Sequence, residues 1–159
     1  MKIQTMLVLM GMLLSNGLIA QEANEIYNKE LHYNLKNNSL AIEGYDPVAY
    51  FTENRAIEGS LDYQLEENGV FYRFSSETNK KIFLNNPEKY EPQYGGWCAY
   101  AMGESGDKVT VNPKTFKIID GKLYLFYNQF LTNTLKSWNK NEATLKKQAD
   151  VNWMNTLKL

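Results

Sequence analysis

The sequence predicts an α+β fold: small antiparallel hairpins packed with short helices, followed by amphipathic C-terminal helices. Three observations carry this. Asn68-Gly69 lies between two runs rich in tyrosine, valine and phenylalanine, which is the pattern of a two-residue hairpin turn. FKIID-GKLYLFY repeats it around Asp120-Gly121. In the last third the apolar spacing lengthens to every third or fourth residue, the period of a helix. The resulting order is helix turn, hairpin, helix, irregular segment, hairpin, helices, which suits an antiparallel sheet with helices segregated from it.

Taken in order, the chain opens with Lys2 and an almost unbroken apolar run from Met6 to Leu14, the pattern of a secretory signal peptide over residues 1–20 with cleavage after Ala20. Leu18 sits where a smaller residue is usual, so an uncleaved anchor is the alternative reading. The run is shorter than the roughly twenty apolar residues that span a bilayer, and no stable membrane insertion is expected once it is removed. No cysteine stands near the junction to be lipidated.

Residues 21–43 are polar and carry Asn24, Asn28, Asn34, Asn37 and Asn38, which predicts an extended N-terminal arm or loose lead-in ahead of a single domain at 44–159. Asp46-Pro47 is a helix-start signature, because a capping carboxylate satisfies free amides and proline loses nothing at the first helical position. A short helical turn through Val48, Ala49, Tyr50 and Phe51 follows. After the first hairpin, Ser76 caps a helix whose apolar face carries Ile82 and Phe83, and Asn86-Pro87 starts another short turn. Leu131, Leu135 and Trp138, then Leu145, Ala149, Trp153 and Leu157, mark the C-terminal helices. Lys136, Lys140, Lys146, Lys147 and Lys158 read as their solvated outer faces.

Composition narrows the function. Formal net charge is −1 at neutral pH and falls by one more with loss of Lys2, so nothing draws the chain to nucleic acid or anionic lipid. The single cysteine, Cys98, excludes an internal disulfide. There is no serine elbow, phosphate-cradling glycine loop, zinc-protease helix or haem-attachment motif. A cysteine nucleophile would need a base, and His32 is the one imidazole in the chain. A non-enzymatic protein is the expectation.

Three motifs recur in a specific order: Asp46-Pro47-Val48, then Tyr72-Arg73-Phe74-Ser75-Ser76, then Phe83-Leu84-Asn85-Asn86-Pro87-Glu88-Lys89-Tyr90. Over roughly residues 44 to 94 this resembles the YHS domain family, and the continuations YGGWCAYAM and GKLYLFYN resemble its exported stand-alone branch. The resemblance implies a treble-clef-like core, a periplasmic or extracellular location and metal handling. Family members fused to copper-transporting ATPases carry cysteines at positions matched here by Ala49, Ser75 and Asn79, and the family's histidine is matched by Arg73.

Two candidate sites follow. A thiolate and a thioether favour Cu(I), and Cys98 and Met102 share one face if their stretch is helical; with His32 they form a candidate site for a copper ion. The alternative is that Cys98 and Met102 are core residues. The second candidate is an aromatic surface of Tyr45, Tyr50, Tyr94, Trp97 and Tyr100 that binds a small molecule or another exported protein, with packing as its alternative.

Overall fold

The computed structural model describes residues 29–158. The expected signal segment 1–20 and residues 21–28 of the expected arm lie outside the described residues. A helical turn through 29–32 leads into two short strands, β1 (Leu35–Lys36) and β2 (Leu40–Ala41), which pair antiparallel. Residues 29–43 are therefore not the loose arm that their asparagine content predicts. Asn38 reverses the chain at φ 59°, a conformation asparagine tolerates better than most residues. Asn34 is buried, and its backbone and side-chain amides donate to the carbonyls of Gly95 and Gly96 at 2.8 and 3.0 Å. Here asparagine is used for its hydrogen bonds rather than for looseness.

The expected helical turn forms as α1 (Ala49–Thr52). The first hairpin joins β3 (Ser60–Glu67) to β4 (Val70–Phe74), with Asn68 and Gly69 both at positive φ, 53° and 79°. That mirror-image turn matches the twist of the strands it connects. The sheet runs β1-β2-β4-β3 and is mixed, because β2 lies parallel to β4 through Leu40 and Phe71. Ser76 accepts the Asn79 N–H and starts α2 (Glu77–Asn85), and Pro87 opens α3 (Pro87–Tyr90), both as their sequence signals predict. A tight turn through Gln93–Gly96 leads to α4 (Ala99–Glu104).

The second hairpin, β5 (Asn112–Ile119) and β6 (Lys122–Phe126), turns at Asp120 and Gly121 with φ of 51° and 71°. Strand β6 organises the interior, since successive side chains point to opposite faces. Leu123 and Leu125 join an apolar cluster with Tyr50, Tyr72, Phe74 and Phe83. Tyr124 and Phe126 join a second cluster with Tyr94, Trp138, Leu145 and Ala149.

A third hairpin, β7 (Asn128–Gln129) and β8 (Thr132–Asn133), precedes α5 (Thr134–Trp138) and α6 (Glu142–Thr156). The three-residue spacing assigns Leu131 to a helix face with Leu135 and Trp138, yet Leu131 stands at the hairpin tip, wholly exposed beside Phe130. Helix α5 begins only at Thr134 because the Asn133 side chain accepts the Leu135 N–H at 3.1 Å and caps it there. Among the described residues no helix is long and apolar enough to cross a membrane.

Two glycines separate steric from conformational demand. Gly95 has φ +58°, and a Cβ there would lie 2.7 Å from the Tyr33 ring and 2.9 Å from Trp153. Gly121 has φ +71° with nothing within 4 Å. We expect Gly95→Ala to cost about 2 kcal/mol or more and Gly121→Asn less than about 1 kcal/mol, read from urea midpoints at constant m.

Candidate functional site

The positions that the family resemblance matches to cysteines come together around one carboxylate. Asp46 is fully buried. Its Oδ1 accepts the backbone N–H groups of Val48 at 2.8 Å and Ala49 at 3.3 Å, which is the helix-start role expected from Asp46-Pro47. Its Oδ2 accepts the Ser75 N–H at 2.8 Å, the Ser75 hydroxyl at 2.7 Å and the Asn79 amide at 2.7 Å. Ala49, Ser75 and Asn79 thus meet at a saturated oxygen site with no sulfur or imidazole in it. Arg73, at the position of the family's histidine, donates from Nε to Gln64 Oε1 at 3.1 Å.

The second candidate donor set is divided by the structure. Cys98 is fully buried in the first apolar cluster, whereas Met102 is buried in the second. The Cys98 sulfur accepts the Tyr127 N–H at 3.3 Å and lies 3.4 Å from Thr134 Oγ1. The Thr134 hydroxyl itself donates to the Tyr127 carbonyl at 2.9 Å, which leaves the thiol proton to bridge sulfur and oxygen. His32, assigned to the polar arm, is instead buried. Its carbonyl accepts the Trp97 indole N–H at 2.6 Å, and its Nδ1 lies 3.5 Å from the Lys108 ammonium. These residues do not fit a copper ion as one donor set, and among the described residues no three His, Cys, Asp or Glu side chains group as metal ligands.

The aromatic set divides as well. Tyr50 and Tyr94 are buried, and their hydroxyls donate to the Pro113 carbonyl and to Asp150, both at 2.9 Å. Burial, the largest influence on each, raises both phenols above their ordinary range. Tyr45 is half-buried and donates to Glu58 at 3.1 Å. Trp97 is fixed against His32 as above.

Tyr100 alone of the five reaches a groove that also contains Cys98. This groove, about 270 Å³, opens between α4, the segment after it, and Tyr127 and Thr134 on either side of the third hairpin, with Ala101, Val109 and Tyr127 along its walls and Glu104, Ser105 and Asp107 at its rim. Burial and then the neighbouring Glu104 carboxylate raise the Tyr100 phenol. The sequence reading missed Glu104, Asp107, Tyr127 and Thr134. The available signal was the four-residue step from Tyr100 to Glu104, followed by a turn at Gly106 (φ +80°) that brings Asp107 back toward the helix. A second groove of about 390 Å³ over β2, β3 and β4 has Arg73 as its one charged lining residue, already engaged by Gln64.

Compared with protein-family models, curated proteins and solved structures, the chain gives no match.

Replacing Asp46 by asparagine keeps its shape but turns one acceptor into a donor facing other donors. Unmet buried donors cost about 1–3 kcal/mol each, so we expect Asp46→Asn to lose about 3 kcal/mol in urea unfolding.

His32 supplies a pH prediction. Burial, and secondarily the Lys108 charge, lower its imidazole from the ordinary 6.5. The unfolded chain then binds a proton before the folded one does, so this contribution to stability is complete above 6.5 and is lost as pH falls through it. Thermal midpoints are expected to drop between about pH 7 and pH 5.5, with a shallower drop in His32→Gln.

Proposed function

We propose that the protein is an exported, non-enzymatic binding module of the YHS type that holds a small organic ligand, without a metal, in the groove above Cys98. The groove itself carries this reading: it gathers the cysteine, Tyr100 and Tyr127 around one opening of about 270 Å³. Ligand sites typically enclose about 300–1,000 Å³, so the occupant is small. Its contacts combine aromatic and aliphatic walls with a polar rim, the mixture by which small-molecule sites give both affinity and orientation.

The YHS assignment is supported by the order of the three sequence motifs and by the convergence of Ala49, Ser75 and Asn79 on Asp46. The choice of binding over catalysis rests on the cysteine. Its sulfur is held between Tyr127 and Thr134, and the His32 imidazole that a thiolate mechanism would call on sits against Lys108 instead. The choice of an organic ligand over Cu(I) rests on the division of Cys98, Met102 and His32 among separate environments.

The test is a fragment titration of full-length protein followed by amide NMR, run beside Ala101→Phe, which fills the groove from its wall. Saturable shifts at Tyr100, Tyr127 and Thr134 are expected in the wild type and are expected to vanish in Ala101→Phe, with near-ultraviolet circular dichroism unchanged. An anaerobic Cu(I) competition against a chelator runs in parallel, and Cys98→Ser is expected to compete no worse than the wild type. Tight binding of one equivalent that Cys98→Ser loses would replace the organic-ligand reading with the metal reading.

A further inference from the structure

We propose that the groove above Cys98 recognises a small organic ammonium ion, a compact apolar body carrying one positively charged nitrogen. The inference rests on the groove being a binding site, as argued above, and adds the charge of its occupant.

The two charged residues lining the groove, Glu104 and Asp107, are both acids, although the whole chain is nearly balanced at 17 basic and 18 acidic side chains. The nearest base in sequence, Lys108, is directed elsewhere, with its ammonium 3.5 Å from His32 Nδ1. The ion pairs among the described residues engage Glu91, Glu43, Glu77, Glu142 and Asp120, and none engages Glu104 or Asp107.

What does touch these acids is neutral: the Tyr100 phenol hydrogen-bonds Glu104, and a serine reaches Asp107. The Ser105 hydroxyl donates to Asp107 Oδ2 at 2.7 Å, orienting that carboxylate while leaving its charge uncompensated. An anionic ligand would meet two like charges at the entrance. A neutral one could at most donate a hydrogen bond to one of them, with no net charge to be attracted by both. An ammonium ion would be attracted by both carboxylates, beside the aromatic side chains of Tyr100 and Tyr127 that line the groove. The apolar remainder of such a ligand would sit against Ala101 and Val109, with the Cys98 sulfur buried beneath them.

The volume sets the scale of the probes. Benzylammonium, benzyl alcohol and benzoate share one ring and differ in charge, so the set isolates the electrostatic contribution. With full-length protein, low salt and amide NMR at Tyr100, Tyr127 and Thr134, benzylammonium is expected to bind at least about fivefold more tightly than benzyl alcohol, as two rim carboxylates each contribute modestly. In the double variant Glu104→Gln with Asp107→Asn, two exposed substitutions, the preference is expected to fall within about twofold. Raising the salt to about 0.5 M is expected to reduce it in the wild type as well. If benzyl alcohol or benzoate binds as tightly as benzylammonium, or if the double variant keeps the full preference, the ammonium inference is overturned while the groove remains a site. If none of the three shifts the groove amides, both readings fall.

Discussion

The carboxylate of Asp46 accepts hydrogen bonds both from the helix start that follows it and from residues 75–79, far along the chain, and much of the first core is arranged by that requirement. Its partners are the first amides of α1, the end of β4 at Ser75, and Asn79 in the opening of α2. A buried carboxylate is tolerated only when its lone pairs are met, so these donors have to arrive together. Once they do, Val48, Tyr50, Phe74 and Phe83 are brought into one fully buried group around it. The constraint then passes outward through Tyr50, whose ring packs edge-on against Phe116 at 4.8 Å and whose hydroxyl reaches the Pro113 carbonyl on β5. A single polar knot thereby ties the first hairpin to the second.

Glu91 does a related job at the other end of the sheet. It accepts from the hydroxyls of Tyr72 and Tyr33 and from the Lys29 ammonium, binding β4 to the helical turn at 29–32. With Tyr50 and Tyr94, this accounts for four of the 11 tyrosines as packed rings whose hydroxyls meet an internal acceptor. A phenylalanine would bury as much ring in these places but would leave a carboxylate or carbonyl short of a donor. Tyrosine fills the core and completes the polar network with one side chain.

How far the sequence could be read depended on whether a signal was local. The turns at Asn68-Gly69 and Asp120-Gly121, the cap at Ser76 and the proline start at Pro87 are set by residues within a few positions, and each forms where it is expected. The segment 29–43 was misread because its order comes from long-range bonds, such as Asn34 to Gly95 and Gly96, that no local pattern displays. Leu131 was misread for the converse reason: its spacing fits a helix, but the Asn133 cap three residues before Lys136 overrides periodicity and leaves Leu131 on a turn. The groove was half legible. Cys98 and Tyr100 stand out by residue type, whereas Tyr127 and Thr134 come to it from the end of the second hairpin and the start of α5.

Cys98 also marks where a bound ligand would act on the fold. Its backbone N–H donates to the Val109 carbonyl, its own carbonyl accepts the Met102 N–H at the start of α4, and its sulfur accepts from Tyr127. Three segments that carry the two apolar clusters therefore meet at one residue on the groove floor. A ligand resting there touches Val109 and Tyr127 directly, so it favours the arrangement in which both are in place. The coupling runs in both directions, because a substitution that loosens this junction spreads the walls the ligand needs. Cys98 would thus serve binding from beneath the groove: its sulfur offers a ligand no surface, but the contacts that keep it in the core are the same contacts that give the groove its shape.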